Sequence, residues 1–294
     1  MKRTCLGILS AIAVAVVVPA PAAHAVPRAD GWETIGDGMT SGASGVAVLS
    51  RGQGSIDALV VRDNKKSGEN RAARVRIAGG KVTGVDAITW SGEVPVDLEA
   101  VEAVPGRAGE YVALASKGKG FHIELQGLTA RVLKTFPLPK GKSGDNYEGF
   151  ALKSVSGKLF AVWADRGQDS RPATLYSAAF DLATLSFGKP ASVEFRVPYP
   201  TANVRHASDV EITEDNRVLV SSASDPGDDG PFDSAVYAAG TLGADGVITL
   251  AGTPARIGDF PGHKIEALTC LSASCDQVLY GTDDEARGGW VRVV

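Results

Sequence analysis

The chain has 294 residues, a formal charge of −4, 44% hydrophobic and 22% charged residues. That apolar content suits a folded core rather than a disordered chain, and the acidic balance argues against a nucleic-acid partner. Gly is frequent at 35 residues, helical periodicity is nearly absent, and short alternating runs between Gly, Asp, Asn and Pro predict an all-β fold.

The chain begins MKRTCLGILSAIAVAVVVPAPAAHA. Lys2 and Arg3 precede an apolar run, and Ala23-His24-Ala25 is a small-x-small cleavage pattern, so residues 1–25 read as a secretory signal peptide. The run is too short and too interrupted by Pro for a membrane span. A secreted, extracellular chain of residues 26–294 is expected as a single domain, with no membrane span. Without Lys2 and Arg3 its formal charge becomes −6.

A repeat runs through that chain. Aligned on the start of an apolar run, Gly45, Glu99, Glu148, Asp209 and Glu266 fall at intervals of 54, 49, 61 and 57 residues, and 48 more close the circle from Glu266 through Val26 to Gly45. Each repeat holds four strand-like runs, except the last, which has three. The orphan run WETI, from Trp32, can supply its fourth. The prediction is a five-bladed β-propeller of four-stranded blades, closed by pairing the N-terminal strand with the C-terminal blade. In that topology the first run of each blade lines the central channel.

The acids at the run starts then point into one funnel. Singly, such acids are turn residues that cap backbone amides. Repeated in register, they crowd around one axis and repel, which a hard, oxygen-ligated cation relieves; calcium fits best and another divalent cation is the alternative. Blade four carries both Asp209 and Glu211, so its register is ambiguous by two residues.

The ends of the second runs lie on the same face and are polar: VVRDNK, LASKGKG with Lys117, VWADRGQ with Asp165 and Arg166, SSASDPGDD, and GTDDEAR with Asp283, Asp284, Glu285 and Arg287. The opposite face carries ordinary hairpin turns. His206 and His263 each stand three residues before the repeat position and are candidates for acid–base work, or for loop histidines bonded to backbone. Lys117, Arg166, Arg205, Lys264 and Arg287 bring cations to the rim. Cys270 and Cys275, in CLSASC, flank a polar turn and predict a disulfide that closes a hairpin.

Blade starts of the form DLEA and second-run ends such as DDEARGG resemble the phytase-like and esterase-like propellers of secreted bacterial proteins. The five-blade pattern is also similar to calcium-dependent apyrases. That resemblance implies an axial calcium ringed by Ser44, Glu99, Glu148, Ser208 and Glu266. It covers most of the chain as a repeat pattern, through short motifs.

Three functions compete. The first is a metal-dependent hydrolase of a small anionic ester or phosphoester, with Glu99, Glu148 and Glu266 on the metal and His206, His263, Asp165 and Arg166 assisting. The second is a binding propeller with a structural ion. The third, a glycosidase with two carboxylates across the funnel, is disfavoured because only four Trp and six Tyr occur in the chain. The expected state is a monomer.

Overall fold

A computed structural model describes residues 31–294; the predicted signal peptide lies outside the described residues. Each repeat folds as one antiparallel sheet. Blade one contains Gly45–Gly52, Ser55–Val61, Ala72–Ala78 and Lys81–Ala87. Blade two contains Leu98–Ala103, Glu110–Ala115, Lys119–Gln126 and Thr129–Pro137, and Thr89–Ser91 adds a short parallel fifth strand at its outer edge. Blade three is built from Tyr147–Val155, Lys158–Asp165, Ala173–Asp181 and Ala191–Phe195, with Ser186–Phe187 on the same third strand. Blade four comprises Val204–Ile212, Arg217–Ser224, Asp233–Leu242 and the long Ile248–Pro261.

Blade five holds Ile265–Cys270, Val278–Asp283 and Gly289–Val293, and Glu33–Gly36 completes it. Glu33 stands opposite Val291 and Thr34 opposite Trp290, the predicted closure of the two chain ends in one sheet. Trp32 anchors that closure by packing on Phe260 and on the His263 ring. The first strands touch in cyclic order, and the fifth touches the first, so the sheets form a five-bladed propeller.

A single blade has two apolar faces and buries neither alone. The core is accordingly divided into five clusters, one at each junction between neighbouring blades. Leu59, Leu98, Phe121 and Ile123 join blades one and two. Leu114, Phe150, Trp163 and Phe180 join two and three. Leu175, Val210, Val220 and Tyr237 join three and four. Leu219, Phe260, Ile265 and Tyr280 join four and five, and Val46, Val60, Leu279 and Val291 join five and one. Each fully buried side chain of this size contributes roughly 1.5–3 kcal/mol.

Near the axis the backbones approach so closely that the residue after the repeat position must be small. A Cβ on Gly149 would lie 2.7 Å from the Val210 amide nitrogen, and one on Gly45 would lie 2.7 Å from Ala100 Cα. These contacts also fix the register. Gly45 and Gly149 occupy equivalent places, and Gly149 faces Asp209 and Val210. The repeat position is therefore Ser44, Glu99, Glu148, Ser208 and Glu266, rather than Gly45 and Asp209 in blades one and four.

A charged funnel at the strand-start face

Glu99, Glu148 and Glu266 share one backbone device. In blade two, Leu98 pairs with Ala115 and Ala100 with Leu114; in blade three, Tyr147 pairs with Asp165 and Gly149 with Ala164; in blade five, Ile265 pairs with Thr282 and Ala267 with Gly281. Each glutamate is the extra residue of a β-bulge, which frees its side chain from the sheet's alternation. All three line one cavity of about 360 Å³, together with Asp63, Lys65, Asp97, Ser116, Lys117, Asn146, Arg166, Arg205, Lys264, Asp283 and Glu285. Seven carboxylates and five cations thus share the funnel, and no aromatic ring lines it.

The three glutamates have different partners. Glu148 receives Arg166 at 3.0 Å, Arg205 at 3.3 Å and the Asn146 side-chain amide at 3.2 Å. Glu266 receives Arg205 at 2.8 Å and Lys264 at 3.2 Å. Burial pushes the Glu266 carboxyl well above its ordinary range, against the pull of Lys264 and Arg205. Arg205 bridges Glu148 and Glu266 across blades three and five and also binds Asp225. Burial opposes its charge, but those three carboxylates outweigh burial and raise its pKa. Lys264 is 1% exposed and pairs with Glu285 as well as Glu266. Near the axis, built-in cations thus neutralise two of the glutamates.

Glu99 is different. It is 8% exposed, makes no ion pair among the described residues, and shares a side-chain hydrogen bond with Asp97. Burial first, then the charge of Glu148, raises its pKa well above the carboxylate range. Asp63 and Asp97 stand beside it, and one oxygen from each of the three lies within 4.8 Å of the others. Oxygens bound to one calcium ion at 2.3–2.6 Å are separated by at most about 5 Å, so this donor set fits a hard cation. The exposed Lys65 ammonium now reaches Asp97 at 3.0 Å and Asp63 at 3.4 Å. Asp97 also accepts a bond from Ser116 Oγ; that bond and Lys65 outweigh burial and lower its pKa.

The remaining predicted residues divide plainly. Arg166, Lys117, Asp283 and Glu285 line the funnel. Burial raises Asp283 to about 7, partly offset by Lys264. Asp165 does not line it: fully buried, it accepts both Arg171 nitrogens and the Asn146 and Gly167 amides, and so holds the loop that presents Arg166. His206 accepts from the Val197 amide at 3.3 Å and donates to the Asp169 carbonyl at 2.8 Å, and burial lowers its pKa. His263 bonds Asp284 at 2.7 Å, and Asp284 also accepts the Lys264 amide. Both histidines stand beside the funnel and do not line it.

Asp209 is also turned away, accepting the Leu268 and Val210 amides at 2.8 and 2.7 Å. Ser44 accepts the Asp63 amide at 3.2 Å, and Ser208 Oγ is buried without a hydrogen bond among the described residues. Arg287 donates to the Asp229 carbonyl at 2.6 Å and lies over Phe232. Cys270 and Cys275 form the predicted disulfide, on the opposite face. The sequence marks VVRDNK only as a polar run end, so Asp63 and Lys65 are not among the predicted site residues, and neither is Asp97. Asp97 lies one residue before its strand and has the turn-like φ of 62°; only its spacing of two from Glu99 marked it.

No protein-family model matches the chain, and no curated protein matches it by sequence. Solved structures do. A GH43 endo-arabinanase from Bacillus licheniformis aligns with a TM-score of 0.50 and 11% identity, over 89% of this chain and 96% of its own. An α-L-arabinofuranosidase from Podospora anserina aligns with a TM-score of 0.50 and 10% identity, over 90% and 96%. A further glycoside hydrolase gives 0.51 and 8%, over 88% and 62%. At these identities the likeness shows the fold, and the fold is the five-bladed propeller.

Proposed function

We propose that the funnel is the active site of a hydrolase that acts on a small anionic ester, phosphoesters foremost, with a divalent cation, calcium first, at Asp63, Asp97 and Glu99. The observation that carries this reading is the lining itself. Five cations stand among seven carboxylates with no aromatic ring to stack a sugar. That composition favours a compact anion over the substrate of an endo-arabinanase such as the structural neighbour.

The residues divide into roles. Lys117, together with Arg166 alongside its pair with Glu148, would receive the anionic group at the edges of blades two and three. Arg205 and Lys264 are committed to Glu148, Glu266 and Glu285, and set the positive field beneath it. Asp283, raised to about 7, can hold a proton at neutral pH and give it to the leaving oxygen as water adds to the phosphorus and the ester P–O bond breaks, the proton lost by the water passing to solvent. A bound calcium would polarise the ester and offset the mutual repulsion of Asp63, Asp97 and Glu99.

Hydrolysis of phenyl phosphate, whose leaving oxygen needs a proton, followed by released phenol with and without calcium, tests the proposal. Calcium-stimulated turnover that falls about 100-fold or more in Asp283→Asn supports it. A folded, calcium-supplied protein that hydrolyses neither this phosphomonoester nor the corresponding diester overturns it.

A further inference from the structure

Lys117 borders two cavities. One is the funnel; the other is a groove of about 380 Å³ running outward from its mouth between blades two and three. The groove is walled by the segment L-P-K-G-K-S-G-D, residues 138–145, with Lys140, Lys142 and Ser143 along it. Its one carboxylate, Asp145, is tied down through Oδ2, while Oδ1 is buried without a hydrogen bond among the described residues. Asp145 Oδ2 accepts the Lys142 amide at 2.8 Å, Tyr176 OH at 2.7 Å and Tyr147 OH at 3.4 Å. Those bonds pin the segment to the floor of blade three, so the lysines stand on an anchored loop. Lys117 and Lys140 have no ion-pair partner among the described residues, whereas Lys142 pairs with the exposed Glu194 at 2.8 Å. The Gly141 amide faces the Tyr147 hydroxyl, whereas the amides of Ser143 and Gly144 make no hydrogen bond within the described residues. Cations beside free amides and a hydroxyl form an anion-binding concavity.

We infer that this groove is a second anion subsite, and that the substrate is an ester bearing two anionic groups, one held in the funnel and the other over Lys140, Lys142 and Ser143. The inference rests on the funnel reading and deepens it. Lys117, shared by both cavities, would sit between the two charges. A substrate with one charge fills the funnel and leaves the groove to water. A substrate with two gains a further charge-assisted contact without a second loss of translational freedom, which is an effective-concentration gain.

The test compares propyl phosphate with propane-1,3-diol bisphosphate on the full chain, by titration calorimetry at low ionic strength. The wild type is expected to bind the bisphosphate about tenfold tighter. Lys140→Gln combined with Lys142→Gln should cut that preference to about threefold or less while leaving propyl phosphate affinity unchanged. Lys158→Gln, an exposed lysine outside the groove, controls for net charge and should change neither. Equal affinity for the two probes overturns the groove while sparing the funnel, as does an equal loss for both probes in the double variant. Failure to bind either probe overturns both.

Discussion

Removing Arg205 is the sharpest test of how this propeller tolerates acids at its centre. Its guanidinium contacts Glu148, Glu266 and Asp225 and is 13% exposed as a side chain. Arg205→Met keeps the length and removes the charge. Glu148 retains Arg166 and Glu266 retains Lys264, so each glutamate loses one of two basic partners. Breaking a buried ion pair by deleting one partner costs about 3–5 kcal/mol. For a domain of this size that corresponds to a fall in Tm of roughly 6–20 °C, at about 2–4 °C per kcal/mol. Scanning calorimetry of the variant measures it. Adding Glu266→Gln to Arg205→Met should recover at least half of the loss, because the second change removes the uncompensated carboxylate. An Arg205→Met protein as stable as the wild type would refute the reasoning. So would a double variant whose losses simply add, since coupled charges in one network are not additive.

Acidity should stabilise the protein. Burial raises Glu211 to about 7 from 4.5, so its folded form keeps a proton that the unfolded chain releases above about pH 4.5. Stability therefore falls as pH rises from about 4.5 to 7, and Glu211→Gln should flatten that slope, gaining about 2 kcal/mol at pH 8 after discounting its partial exposure. Denaturant unfolding at pH 5 and pH 8 measures both; a variant less stable than the wild type at pH 8 contradicts the sign. Replacing Cys270 and Cys275 by Ser opens a loop with a sequence separation of 5, and should cost about 2 kcal/mol without affecting ester turnover. Unchanged denaturation midpoints in reduced and oxidised protein would contradict that.

The architecture was legible because a propeller repeats one amphipathic unit. The run WETI had no partner in its own stretch and fell into blade five, where the last repeat lacked a strand. The register at the axis was harder. Period-two alternation assigns a face to each residue, but the bulges at Glu99, Glu148 and Glu266 interrupt that alternation, and no composition signal marks where the extra residue sits. Blade four shifts its pairing across a longer stretch, from Arg205 to Asp209, which is why Asp209 reads as an axial acid while its carboxylate turns onto the Leu268 amide. The histidines misled for a related reason. His206 and His263 hold equivalent sequence places, but neighbouring carbonyl, amide and carboxylate groups claim their ring nitrogens. The cations were visible as rim residues. The pairing of Arg205 with Glu148 and Glu266 was not, because it joins residues of different blades, 57 and 61 positions apart.

A crystal structure grown with calcium and inorganic phosphate bears most directly on the funnel. The account predicts calcium bound by Asp63, Asp97 and Glu99, Lys65 displaced outward, and phosphate against Lys117 and Arg166. Calcium seated elsewhere, or phosphate bound only outside the funnel while Lys65 stays on Asp97, would contradict it.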